Sequence, residues 1–119
     1  MAALIERNEV RVLLVEDDGP RLGKLDDAAD LVGQAFSEKA SVVVVPAKRL
    51  DPAFFQLRTG IAGEFIQKIV NYRLRFAVIG DIGEALARSS ALQDFVRESN
   101  RGREIFFLPD LDAVFEKLG

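Results

Sequence analysis

Apolar positions along this chain fall into two spacings. Short apolar-rich runs occur at Val10 to Val15 (VRVLLV), Ser41 to Pro46 (SVVVVP), Phe76 to Ile79 and Ile105 to Leu108. Such short runs, bounded by polar and turn residues, are the pattern of strands covered on both faces, as in a parallel sheet. Between them the spacing changes to the helical one. Ala28, Leu31, Val32, Ala35 and Phe36 form one stripe on a helix predicted from Leu25 to Ser37. A broader apolar face, Ile61, Ala62, Phe65, Ile66, Ile69 and Val70, predicts the main helix from about Thr59 to Asn71. A third helical region follows Gly83, with Leu92, Phe95 and Val96 toward the core. A last helix carries Leu111, Val114, Phe115 and Leu118.

Local signals punctuate these elements. A short run, Leu4 to Arg7, precedes Val10 to Val15 across Asn8-Glu9, and this pattern predicts a hairpin. Glu16 to Gly23 is a polar loop broken by Gly19-Pro20. Asp26 or Asp27 is placed to cap the first helix, and Asp110 the last. Asp51-Pro52 opens a helical turn through Phe54-Phe55. Ser90 with Gln93 has the spacing of a capping box, and Asn100 with Gly102 suits the far end of that helix.

The order is hairpin, then helix and strand in alternation, then a final helix. It predicts one α/β domain over residues 1–119: an N-terminal β-hairpin, then right-handed αβ units, in a mostly parallel mixed sheet of about five strands with about four helices. Net charge is −3 and 49% of the chain is apolar, which supports a packed core and argues against a nucleic-acid partner. No apolar run is long enough for a membrane span, and the opening MAALIERNEV is too short in apolar residues for a signal peptide, so a cytoplasmic location is expected.

Cys and His are both absent. That excludes disulfides, thiol nucleophiles, imidazole bases and ordinary zinc sites. No metal or cofactor is expected, and acid–base work would fall to Asp, Glu, Lys or Tyr72. In a parallel sheet, ligands gather at the carboxyl ends of the strands. Glu16, Asp17, Asp18, Lys48, Arg49, Asp51, Asp81 and Asp110 collect there. Arg58, Thr59 and Gly60 open the main helix near that edge and form, with Asp81, a candidate switch or anion site; alternatively Thr59 is only the helix cap and Gly60 allows close packing. A second polar cluster, Tyr72 and Arg73 with Glu98, Ser99, Asn100 and Arg101, precedes two strands that parallel pairing would set side by side. One reading is a partner surface or a clasp for a small polar ligand; the plainer and favoured one is helix caps and a surface Arg–Glu pair, since exposed ion pairs are common and weak.

RVLLVEDDGPRLGKL resembles the opening of a response-regulator receiver. The later strand ends, Val45-Pro46-Ala47, Ile79-Gly80-Asp81 and Leu108-Pro109, lack the residues that such a receiver needs. FFQLRTGIAGEFIQKIVNYRLRFAVIGD and LQDFVRESNRG closely resemble a family of short bacterial proteins, domain of unknown function 4180, along nearly the whole chain. The element order is also similar to the STAS domain of sulfate transporters and anti-sigma factor antagonists. That likeness implies a module that binds a protein partner, with a phosphorylatable Ser or Thr at the start of its second helix, where Thr59 stands. The Asp-Ser-Ser-Gly signature is replaced here by Arg58-Thr59-Gly60.

The expectation is therefore a non-enzymatic, regulatory protein-binding module. Its partner surface is expected on the polar face of the main helix, at Glu64, Gln67, Lys68 and Asn71, beside Arg58. Two alternatives stand beside it. One is a small-ligand or anion-binding protein, conceivably an enzyme, using Asp81 with Lys48 or Arg49. The other is a homodimer docked through the open edge of the hairpin.

Overall fold

The computed structural model describes residues Ala2 to Gly119. Its sheet has five strands in sequential order: β1 (Ala2–Arg7), β2 (Val10–Val15), β3 (Val42–Pro46), β4 (Arg75–Ile79) and β5 (Ile105–Leu108). β1 pairs antiparallel with β2, and every later pair is parallel. Asn8 and Glu9 both take positive φ, at 50° and 69°, in a two-residue connection. That mirror-image turn follows the right-handed twist of the strands it joins.

The helices are α1 (Leu25–Glu38), α2 (Ile61–Val70), α3 (Gly83–Arg88), α4 (Ser90–Arg101) and α5 (Leu111–Leu118). The predicted single helical region after Gly83 is thus two helices, because Ser89 is extended between them. Alternate side chains of each strand point to opposite faces. Leu13, Val15, Val43, Val45, Phe76, Val78 and Phe107 meet α1, α2 and α4 in the larger core. Val12, Val42, Val44, Ala77 and Phe106 meet α5 alone in the smaller one. The valine run of β3 is fully buried because it feeds both cores.

Several helix ends differ from the sequence expectation. Asp27 caps α1 as expected, but from within its first turn: its carboxylate reaches back to accept from the N–H groups of Gly23 and Lys24, at 3.0 Å each. Ser89, not Ser90, caps α4: its hydroxyl accepts from Leu92 N–H at 3.1 Å. Gln93 is then one residue too late for the box and donates instead to Leu86 C=O at 2.8 Å. α2 starts at Ile61, two residues later than the periodicity suggests, since Leu57–Thr59 is a separate 3-10 turn. Asp110 caps α5 as expected, through Ala113 N–H at 2.9 Å. Asp51 likewise caps the turn Pro52–Phe55, through Ala53 N–H.

Candidate functional site

The connections of this sheet decide where a crevice can open. β2, β3 and β4 all send their chain to the face of the larger core, whereas β5 sends its chain to α5 on the other face. Ligand crevices in parallel sheets form where neighbouring strands lead to opposite faces. Here that point lies beyond β4 and β5. A cavity of about 440 Å³ bordered by Ile82, Leu86 and Phe107 lies on one side of it. A second of about 270 Å³ bordered by Asp17, Lys48 and Asp110 lies on the other. Gly80, Asp81 and Pro109 border both.

The charged groups at this edge are already partly engaged. One Asp81 carboxylate oxygen accepts from Gly83 N–H at 2.8 Å and so helps to start α3. Lys48 pairs with Asp17 at 3.5 Å, both exposed. Among the described residues no cluster of three acidic ligands is close enough to hold a metal ion.

Arg49 is absent from that crevice. Its side chain is 5% exposed. The guanidinium donates to the carbonyls of Glu16 (2.7 Å), Asp18 (3.0 Å) and Pro20 (3.0 Å). A buried charge needs partners, and three carbonyl dipoles serve here without a carboxylate. Leu22 completes the attachment, with N–H to Arg49 C=O at 2.6 Å and C=O to Asp51 N–H at 2.8 Å. Gly19 lies so close that a Cβ would sit 2.8 Å from the guanidinium carbon. Arg49 is thus a staple for the Glu16–Gly23 loop, not a ligand group.

Arg58, Thr59 and Gly60 also differ from expectation. The helix cap is Gly60, with φ 77°, a left-handed conformation that glycine takes without strain. Nothing lies within 4 Å of where its Cβ would be, so close packing is not its role. The Thr59 hydroxyl lies within donating distance of the carbonyls of Ala53 (2.9 Å) and Gln56 (2.8 Å), and it accepts from Ile61 N–H at 3.3 Å. It ties the 52–61 segment together. Arg58 and Asp81 border different cavities, so the four residues do not form one site.

On α2, Glu64, Gln67 and Asn71 are exposed as expected, and Gln67 donates to the Asn71 side chain at 2.6 Å. Lys68 is half-buried, its ammonium 5.5 Å from the centre of the Tyr72 ring. Tyr72 in turn meets Phe36 edge-to-face, with centroids 5.7 Å apart. Both rings face solvent, Phe36 at 55% exposure and Tyr72 at 44%. The apolar stripe of the first helix had placed Phe36 in the core. It stands eight residues beyond Ala28, which is about 80° around the helix, at the margin of the stripe. That drift is the one signal in the sequence for its exposure.

The second polar cluster divides. Arg101 pairs with Glu98 at 3.3 Å on the surface of α4. Asn100 does not end α4; its amide donates to Phe107 C=O at 3.1 Å and its carbonyl accepts from Phe107 N–H at 2.8 Å. Arg73 takes φ 62° in the turn after α2. Among the described residues no hydrogen bond or ion pair joins Tyr72 or Arg73 to the 98–101 segment.

Fold and edges together define a small α/β domain with a mixed sheet, helices on both faces, and open cavities at its carboxyl edge. A family model described as a domain of unknown function (DUF4180) matches residues 7–118, and the chain belongs to that family. No curated protein and no solved structure matches it. Among the described residues no helix is long and apolar enough to cross a membrane.

Proposed function

We propose that this domain is a non-enzymatic, regulatory protein-binding module whose docking face is centred on Phe36 and Tyr72. The observation that carries this reading is the solvent-exposed, edge-to-face ring pair. Large aromatic rings kept in water lose the burial that they would gain in a core, and such rings dominate the energetic centres of interfaces. Lys68 over Tyr72 and the bonded Gln67–Asn71 pair hold the face in one shape before a partner arrives, which lowers the ordering entropy of binding. The element order, similar to that of anti-sigma factor antagonists, supports the same class of function. A phosphate on Thr59 would act by removing the hydroxyl that ties the 52–61 segment, not by contacting the aromatic face.

The test is capture from native lysate with wild type beside Phe36→Ser/Tyr72→Ser, read by mass spectrometry. A partner held by wild type and lost by the double variant is the expected result. Equal retention by both would overturn this docking face. A rival reading rests on the crevice beyond β4 and β5, with Asp81 and Lys48 as ligand groups. It predicts thermal stabilisation by a small ligand that Asp81→Asn abolishes. Self-association through the open edge of β1 is a further reading, and light scattering distinguishes it from a monomer.

A further inference from the structure

We infer that the groove between the 52–58 segment and the α3–α4 junction is a binding site for a small amphiphilic organic anion, such as an aryl or alkyl phosphate or carboxylate. The cavity measures about 430 Å³, within the range of sites for small ligands. Its polar side chains are Arg58, Arg88, Ser89 and Gln56, and no carboxylate borders it. Among the described residues neither guanidinium pairs with an acid. Arg58 reaches only Gln56 Oε1, at a long 3.4 Å. The Ser89 hydroxyl accepts from Leu92 N–H and keeps its own proton to donate. The Gln56 amide nitrogen is likewise free to donate, since only its carbonyl is engaged.

The groove therefore offers donors almost exclusively, in a chain of net charge −3. The start of α4 adds to this, because its first turn has no acidic residue to offset the positive end of the helix. The rest of the wall is apolar, with Phe55 and Leu57 prominent. Donors at one part of a wall and hydrocarbon at another suit a ligand with a charged head and an apolar body. A bare inorganic ion would leave the apolar wall unused, and a neutral ligand would leave the two exposed guanidiniums paired with water alone. The groove shares no residue with the Phe36–Tyr72 face.

The test is titration with phenyl phosphate, followed by the amide NMR shifts of the full chain. Saturable shifts are expected at Phe55, Leu57, Arg88, Ser89 and Ala91. Arg58→Gln and Arg88→Gln should each weaken binding about tenfold or more, as loss of a charge-assisted hydrogen bond does. Ala91→Leu, which narrows the groove without removing charge, should weaken it as well and guards against a misfolded arginine variant. Inorganic phosphate and benzyl alcohol should both bind more weakly than phenyl phosphate. Absence of saturation, shifts confined to other segments, unchanged affinity in the Arg58→Gln/Arg88→Gln protein, or equal binding of either control would overturn the site.

Discussion

Arg49 shows how little a residue type says about its role until its neighbours are known. A cation at the carboxyl edge of a parallel sheet reads as a ligand group, yet its three donations go to main-chain carbonyls of one loop. Arg49→Leu would leave those carbonyls without their donor and release the loop. We expect a loss of roughly 2–4 kcal/mol, measured by urea denaturation. Arg49→Lys should recover only part of it, because a compact ammonium cannot span three separated carbonyls as a guanidinium does. Glu9 is a smaller case. Its φ of 69° is strained for a residue with a Cβ. Glu9→Gly relieves that strain at some cost in chain entropy, so a net gain of about 0.5 kcal/mol in a thermal melt is expected.

At the scale of elements, caps and edges decide the outcome. Ser89 and Asp110 each place an oxygen on a main-chain N–H near the start of a helix, and Asn100 does comparable work for a strand. Its amide holds both the N–H and the C=O of Phe107 on the outer edge of β5. That takes the Phe107 groups out of reach of another strand, whereas β1 has only β2 beside it. Asn100→Ala should cost about 1–3 kcal/mol by leaving two main-chain groups unpaired. It should also speed hydrogen exchange at Phe107 and raise the rate of aggregation. Exchange at Phe107 as slow as in the wild type would show that the clamp contributes nothing.

At the scale of the molecule, the two cores are unequal. α1, α2 and α4 share the larger one, while α5 alone covers Val12, Val42, Val44, Ala77 and Phe106. Stability on that face is concentrated in one short helix, and Val114 is its fully buried residue. Val114→Ala should cost about 1–3 kcal/mol, with the loss seen as a lower denaturation midpoint at an unchanged slope. A shift within a few tenths of a kcal/mol would show that the helix repacks over the gap.

The order of strands and helices, the hairpin at Asn8-Glu9 and the caps at Asp51 and Asp110 were legible in the sequence. Each arises from local chemistry: apolar spacing, turn propensity, or a side chain short enough to reach its own helix. The four valines of β3 signalled burial on both faces for the same reason. Only the tertiary structure decided what Arg49, Asn100, Arg58 and Phe36 do: the roles of Arg49, Arg58 and Phe36 depend on segments far along the chain, and that of Asn100 on how α4 folds back beside β5. The carbonyls that hold Arg49 lie about thirty residues earlier. Arg88, which shares a groove with Arg58, lies thirty residues later. Phe36 meets Tyr72 because α1 packs on α2. Helix period predicts which residues share a stripe. It does not say which end of that stripe the neighbouring helix leaves in water.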